Sequence, residues 1–187
     1  MSRANLARRA LLAAAGATVL VGLAACSSGS ATPEGWTRVE DGWLQVDVPE
    51  AWVETGGLSD RWTTSWQDAE GADATVQLAA SPALGYYRAA EARGIILANA
   101  QVGGLPGFAV TSQSDPVDTG ALEVTRTDFT YEPDDGGTSE GVLWVAADRE
   151  TKKSVALQLT GAELDEDVVE QLEASIRVLD TEATPNA

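Results

Sequence analysis

The chain has 187 residues, 44% of them hydrophobic, and carries 29 acidic against 12 basic side chains, for a formal net charge of −17. So acidic a surface repels nucleic acid and anionic lipid headgroups, which excludes both as partners held by charge. Histidine is absent and cysteine occurs once, so the sequence offers no Ser-His or Cys-His catalytic arrangement, no histidine ligand for zinc and no internal disulfide.

The first 25 residues have the pattern of a removable export signal. Arg3, Arg8 and Arg9 precede sixteen apolar or small residues at 10–25, and no acid occurs among them. That run is shorter than the roughly 20 residues that a bilayer span needs. Arg8-Arg9 also resembles a twin-arginine export motif, so the general secretory route and the twin-arginine route both stay open.

The single cysteine, Cys26, directly follows Leu23-Ala24-Ala25. This stretch resembles the lipobox of bacterial lipoproteins. The resemblance implies cleavage before Cys26, attachment of a diacylglyceryl group to its thiol, and anchoring at the extracytoplasmic face of the cell membrane. Two acyl chains anchor a protein stably, whereas one holds it only marginally. The alternative is an ordinary secretory signal followed by an unpaired cysteine.

Loss of residues 1–25 would leave 162 residues, which suits one domain, and would lower the formal charge to −20 because three arginines leave with the signal. Residues 26–35 are rich in Ser, Gly and Pro, and they predict a flexible tether. We expect one folded domain over 36–180 and a disordered polar tail over 181–187. The excess of arginine over lysine resembles proteins of GC-rich actinobacteria.

The domain is predicted to begin with a β-hairpin. Alternating segments at 36–40 and 43–48 flank Asp41-Gly42, a dipeptide that favours the positive φ angles of a two-residue turn. Pro49 ends the second strand because proline cannot donate to the ladder. β-Branched and aromatic residues predict two more strands, at 62–67 and 75–79.

A helix is predicted next. Ser81-Pro82 has the pattern of a helix start, a hydroxyl cap followed by proline at the first helical position. We expect the helix to run to about Ala100, and a strand at 94–97 is the alternative. The glycines and proline at 103–107 end it. The remaining strands are predicted at 108–111, 122–131, 142–147 and 154–160.

The second predicted helix is the clearest element. Leu164, Val168, Leu172 and Ile176 repeat every four residues, which predicts one apolar stripe that Leu179 completes. Acids occupy the first turn, at 165–167, and Arg177 occupies the last. Each has the sign that the helix dipole favours.

About seven strands, mostly in hairpins, with one helix between strands and one at the end, predict an α+β domain whose helices pack on an antiparallel sheet. The order of elements, Val48-Pro49-Glu50-Ala51-Trp52, the Gly-Leu-Pro-Gly turn and Ala174-Ser175-Ile176-Arg177 are similar to those of actinobacterial lipoproteins of the LpqN/LpqT type. That resemblance implies the PsbP-like α/β/α sandwich over about 36–180 and a cell-envelope setting. It brings no catalytic residue.

Five of the six tryptophans lie between Trp36 and Trp66. They predict either the aromatic wall of a groove for an apolar or sugar ligand, or the core and cross-strand pairs of a small sheet without disulfides. The central helix adds Ile95 and Ile96 to the surfaces of interest. The candidate ligand surface consists of Trp43, Trp52, Trp62, Trp66, Tyr86 and Tyr87.

Two acid-rich segments, at 132–140 and 163–167, are candidate cation sites. Calcium takes roughly six to eight oxygens, and neither segment has the alternating acids of an EF-hand loop, so we interpret both as solvated acids. The sequence also lacks Gly-x-Ser-x-Gly, a Walker loop and a Gly-x-Gly-x-x-Gly fingerprint. It therefore predicts no metal, no cofactor and no catalytic residue.

The preferred functional hypothesis is a membrane-anchored, non-catalytic lipoprotein of the cell envelope that binds an envelope protein, or a lipid or glycolipid, at the membrane surface. Two alternatives stay open, a carboxylate-dependent hydrolase of envelope glycans and a purely structural surface protein. A deep cleft with two facing carboxyls would favour the hydrolase, and an apolar cavity without acids would favour the binder. The sequence does not set the oligomeric state.

Overall fold

The computed structural model describes residues 31–134 and 136–186. The predicted signal, Cys26 and the first part of the predicted tether lie outside the described residues. Residues Thr32–Ala187 form one structural unit. Neither helix within the described ranges has the length and apolar character required to cross a bilayer.

The described residues form eleven strands and two α-helices. A 3₁₀ turn lies at Gly71–Asp73, and a π-helical turn at Ala100–Gly104 continues the first helix. The strands are β1 (Trp36–Asp41), β2 (Leu44–Pro49), β3 (Val53–Glu54), β4 (Thr64–Gln67), β5 (Val76–Tyr86), β6 (Ala109–Gln113), β7 (Val117–Thr119), β8 (Leu122–Tyr131), β9 (Ser139–Asp148), β10 (Lys153–Gly161) and β11 (Arg177–Val178). The helices are α1 (Ala89–Asn99) and α2 (Glu166–Ser175).

The strands form two antiparallel sheets. The large sheet has the order β3-β4-β5-β10-β9-β8-β6, and β7 also pairs with β8. The small sheet has the order β1-β2-β11, so the first hairpin of the domain is joined by its last strand. This architecture confirms the predicted α+β fold, with helices on an antiparallel sheet.

The large sheet is buried on both faces. One face packs against the small sheet and α2, and the other face packs against α1. Strand β9 shows why the run at 142–147 is continuously apolar. Val142, Trp144 and Ala146 point into the first core, whereas Leu143, Val145 and Ala147 point into the second. A strand covered on both faces needs apolar residues at every position.

The turn of the first hairpin lies one residue later than predicted. Asp41 pairs with Leu44, so the two-residue turn is Gly42-Trp43, and Gly42 has a φ of 53°. A Cβ at Gly42 would lie 3.0 Å from the carbonyl oxygen of Pro82, and the backbone N–H of Trp43 donates to that oxygen at 2.9 Å. The turn is shifted because it docks on β5.

The predicted helix start at Ser81-Pro82 is wrong. Strand β5 runs through both residues to Tyr86, and the register on β10 shifts between Ser154 and Ala156, which accommodates the proline. Helix α1 begins at Ala89, whose backbone N–H donates to the carboxylate of the buried Glu123 at 3.3 Å. A remote acid on β8 therefore replaces the predicted local cap. The alternative strand at 94–97 is also wrong.

Helix α2 has the predicted start but a different buried stripe. The Asp165 side chain accepts a hydrogen bond from the Asp167 N–H at 2.9 Å and caps the helix. Val169 and Leu172 are buried, whereas Val168 is only half-buried. The helix ends at Ser175, so the predicted positions Ile176, Arg177 and Leu179 lie beyond it. The chain must leave the helix there to form β11.

The last residues contact the domain, unlike the disordered tail expected at 181–187. The backbone N–H of Asn186 donates to the carbonyl of Ala83 at 2.6 Å, and the Thr181 hydroxyl donates to the carbonyl of Gly42. Lys153 Nζ donates to Asp180 at 2.7 Å and to the carbonyl of Thr181 at 2.8 Å. The expectation of a free tail is therefore wrong for residues 181–186.

The stripe of α2 can be tested by a pair of alanine substitutions. Val169→Ala removes two methyl groups from the core, so it should lower the free energy of unfolding by about 2 kcal/mol. Val168→Ala should cost clearly less because Val168 is half-buried. Urea unfolding followed by far-UV circular dichroism gives both values. A larger loss for Val168→Ala would contradict the observed register.

Candidate binding cleft

The structure does not gather the six predicted aromatic residues at one surface. Trp43 and Trp66 are buried in the first core, with Trp52 packed against it. Trp62 and Tyr87 pack against the second core, on the opposite face of the large sheet. The candidate ligand surface is therefore divided by the sheet itself.

Two smaller aromatic groups remain. Trp43 is fully buried, its ring lies 5.2 Å from that of Tyr86, and Lys153 Nζ lies 5.7 Å from the centre of the indole. Trp52 and Trp66 line a depression of about 220 Å³. These groups lie in or against the first core, which is consistent with the interpretation of the tryptophans as core and cross-strand residues.

A larger concave surface lies between α2 and β8. It consists of two depressions, of about 410 and 490 Å³. Arg126 lines the first, Glu173 lines the second, and these two side chains form an ion pair at 3.1 Å. We call the combined surface the α2 cleft. Its lining includes Thr111, Val117, Leu122, Val124, Arg126, Asp128, Glu140, Leu164, Glu166, Glu173, Ile176 and Arg177.

A network of charged groups occupies the middle of the α2 cleft. Arg126 donates from Nε and Nη2 to Asp128 Oδ1, at 2.9 and 2.8 Å. Glu173 Oε2 accepts from Arg126 Nη1 at 3.1 Å and from the indole N–H of the buried Trp144 at 3.0 Å. The network therefore ties α2 to two strands of the sheet below it.

The charge on Arg126 is secured by its neighbours. Burial alone lowers the pKa of its guanidinium, but the hydrogen bonds and charges of Asp128 and Glu173 outweigh burial and raise the pKa above its ordinary value. Arg126 is therefore a permanent cation whose charge is shared between two carboxylates. A ligand in the cleft therefore meets a network in which two carboxylates already balance the positive charge of Arg126.

The β8 floor of the α2 cleft changes in polarity along the strand, from Leu122 and Val124 to Arg126 and Asp128. Both ends of the cleft contain apolar and charged groups. Glu173 and Arg177 line the first end beside Val117 and Ile176, and the second end is lined by Phe129, Val142, Leu164 and Val169 as well as Thr111, Glu140 and Glu166. Strand alternation produces this gradient. Leu122, Val124, Arg126 and Asp128 alternate with buried neighbours along β8 and so share the face toward α2. The change from apolar to charged residues along that face is the sequence pattern that could have indicated this cleft.

The acid-rich segments were the candidate cation sites in the sequence. Across residues 31–134 and 136–186, no three acidic or cysteine side chains are placed to hold one ion together. Asp165 caps α2, and Glu140 and Glu166 line the second end of the cleft. Asp165 therefore has a local structural role, and Glu140 and Glu166 are part of the cleft surface.

No protein-family profile and no curated protein sequence matches this chain. Among solved structures, cyanobacterial PsbP (CyanoP) from Synechocystis sp. PCC 6803 is similar with a TM-score of 0.56 and 16% identity, over 81% of this chain and 97% of that one. The similarity confirms the PsbP-like fold predicted from the sequence, and at this identity it shows the fold alone.

Two further solved structures are similar at lower scores. The Ran-binding protein Mog1p of Saccharomyces cerevisiae has a TM-score of 0.49 and 14% identity, over 78% of this chain and 96% of that one. LpqN, involved in cell envelope biogenesis of Mycobacterium tuberculosis, has a TM-score of 0.49 and 15% identity, over 77% of this chain and 90% of that one.

The burial of the tryptophans can be checked by fluorescence quenching. We expect acrylamide to quench only part of the emission, because Trp43, Trp66 and Trp144 are buried. Trp43→Phe should remove emission from the protected fraction, whereas Trp62→Phe should remove it from the accessible fraction. Uniform quenching of all six indoles would instead support an open aromatic groove.

Proposed function

We propose that this protein is a lipid-anchored, non-catalytic binding protein of the bacterial cell envelope, and that it holds a neutral glycolipid in the α2 cleft. The lipobox-like stretch ending at Cys26 supports the anchor and the location at the extracytoplasmic face of the membrane. The polarity gradient along the floor of the α2 cleft is the observation that carries the ligand class.

The first end of the cleft suits an acyl chain. Val117 is 56% exposed, and Leu122 and Val124 are half-buried beside it. The depression of about 490 Å³ at this end falls within the roughly 300–1,000 Å³ usual for small-molecule sites. In a chain as acidic as this one, an apolar recess is an unusual surface that ligand binding would cover.

The second end favours sugar hydroxyls over phosphate. Arg126 already shares its charge with Asp128 and Glu173, and Glu140 and Glu166 add further negative charge nearby. An anionic headgroup would be repelled there, whereas hydroxyl groups can donate to carboxylates and accept from the guanidinium. The proposed ligand is therefore a neutral sugar carried on a lipid.

The same network argues against the hydrolase alternative. Glycoside hydrolysis uses one carboxyl group that donates a proton and a second that acts as base or nucleophile. Asp128 and Glu173 both line the cleft, and both accept hydrogen bonds from the Arg126 guanidinium. We therefore assign Asp128 and Glu173 to holding α2 in place. Glu140 and Glu166 also line the cleft, and we assign them to accepting hydrogen bonds from sugar hydroxyls, with no residue in a catalytic role.

Anchoring would make this binding effective. A protein held at the membrane meets its ligand at a local concentration far above that in solution, without any additional contact. The proposed role is therefore to retain a glycolipid, or to present it to other envelope components, beside the membrane in which that lipid resides.

The anchor can be tested on the protein purified from membranes in detergent. Intact-mass spectrometry should find a chain that starts at Cys26 and carries a diacylglyceryl group. Cys26→Ser should prevent lipidation, so the protein should no longer be extracted with the membrane fraction. A wild-type chain with an unmodified thiol, or with a different first residue, would refute the anchor.

The ligand can be tested by lipid extraction from the same purified protein. Glycolipid should co-purify with the wild type and with Leu58→Glu, a control at a 50% exposed apolar residue outside the cleft lining. Val117→Glu should reduce the glycolipid by about tenfold, which corresponds to roughly 1.4 kcal/mol of binding free energy.

Equal recovery from both variants would remove the α2 cleft as the site. A protein that co-purifies with the wild type but not with Val117→Glu, in the absence of lipid, would identify the cleft as a protein-binding surface and refute the glycolipid. Bound anionic phospholipid in place of glycolipid would contradict the assigned headgroup chemistry.

A further inference from the structure

A separate depression, of about 320 Å³, lies at one end of the large sheet, where β5 begins and β10 ends. None of the described residues that line it is charged, although the chain has 29 acidic and 12 basic side chains. Its polar lining residues are Gln67, Gln77, Thr75, Tyr131, Ser139 and Thr160. We call this surface the glutamine depression.

The strand register places three of these polar side chains in one row. Gln67 of β4 pairs with Gln77 of β5, and Gln77 pairs with Thr160 of β10. Leu78 and Leu159, the neighbours of this row on β5 and β10, point into the first core. Strand alternation therefore directs the row to the opposite face of the sheet, on which α1 packs. The row extends over two strand spacings, about 10 Å.

Tyr131 and Ser139 continue the polar lining. They pair with each other at the end of β8 and the start of β9, and Tyr131 packs against the second core. Within residues 31–134 and 136–186, no hydrogen bond engages the side-chain amide of Gln67 or Gln77, or the hydroxyl group of Tyr131 or Ser139. These groups are therefore available to a ligand.

Each acid that directly follows one of these polar residues is directed elsewhere. Asp68 accepts three hydrogen bonds, at 2.6 to 3.0 Å, from residues 75–76. The Glu132 side chain lies against Gly107, and Glu140 lines the α2 cleft. An ionic ligand would therefore find no opposite charge in the lining, and a ligand without charge is favoured.

The backbone beneath the row is already paired. Strands β5 and β10 each have a neighbouring strand on both sides, so an extended peptide cannot add to the sheet there. Recognition must come from side chains. Amides and hydroxyls both donate and accept hydrogen bonds, as the hydroxyls of a sugar do, and the Tyr131 ring adds a flat apolar surface. The volume lies within the roughly 300–1,000 Å³ usual for small-molecule sites.

We infer that the glutamine depression is a second binding site, which takes a neutral saccharide. The amides of Gln67 and Gln77 and the hydroxyls of Ser139 and Thr160 bind the sugar hydroxyls, and the Tyr131 ring packs against the sugar. The row points away from the face on which α2 packs, so this site is separate from the α2 cleft and does not depend on the glycolipid proposed there.

The site can be tested by isothermal titration calorimetry on the protein purified in a detergent without a sugar headgroup. The probes are glucose, galactose and mannose, with glucuronate and galacturonate as charged counterparts. At least one neutral sugar should bind, and its charged counterpart should bind more weakly. Gln77→Leu and Gln67→Ala should each weaken binding about fivefold or more, because each removes an amide that hydrogen-bonds the sugar.

Two control variants locate the site. Gln113→Leu, at an exposed glutamine on β6, and Val117→Glu, in the α2 cleft, should leave sugar affinity unchanged. Circular dichroism should show that each variant is folded, and Gln67→Ala, on the short strand β4, tests the site if Gln77→Leu does not fold.

The proposal fails if none of the three neutral sugars binds, or if the uronates bind as tightly as their neutral forms. An equal loss of affinity in Gln113→Leu and Gln77→Leu would also overturn it. A loss in Val117→Glu but not in Gln77→Leu would place the sugar in the α2 cleft instead. Gln77→Leu should leave the recovery of co-purified glycolipid unchanged, so either proposal can fail alone.

Discussion

The attachment of the first hairpin to the large sheet determines the rest of this structure. The Trp43 backbone N–H donates to Pro82 on β5 at 2.9 Å, its carbonyl accepts from Leu179 at 2.7 Å, and its indole is fully buried. One residue thus joins the hairpin, the large sheet and the segment after α2. Because the small sheet and α2 cover the same face, this junction also helps to set the position of α2 over β8.

The α2 cleft exists because a short helix covers a long strand. Ten residues of helix α2 extend about 15 Å, whereas ten residues of strand β8 extend about 33 Å. The helix cannot cover the whole strand, and the uncovered part forms the floor of the two depressions. Arg126 bridges from that floor to Glu173, so the network holds the helix in place without filling the space beside it.

Sequence patterns predicted an element correctly where the local preference of its residues agreed with its tertiary environment. Strand β8 has the predicted bounds, 122–131, because its alternation matches its two environments. The predicted helix start at Ser81-Pro82 was wrong because a hydroxyl and a proline also fit a bulged strand. The contact that favours the strand comes from Trp43, a residue about forty positions earlier. Similarly, Arg126 and Glu173 lie 47 residues apart, so no local pattern could bring them into one cleft.

The small sheet joins the two ends of the domain. Strands β1 and β2 come first in the chain, but their sheet is completed by β11, at residues 177–178, and residues 181–186 then lie against the turn between them and the neighbouring strand. Such contacts join residues up to 139 positions apart and form slowly. A chain that is synthesised from its N-terminus must therefore hold its first hairpin unfinished until residues 177–186 have been made. The small sheet of this domain can thus be completed only after synthesis of nearly all of its other strands and helices.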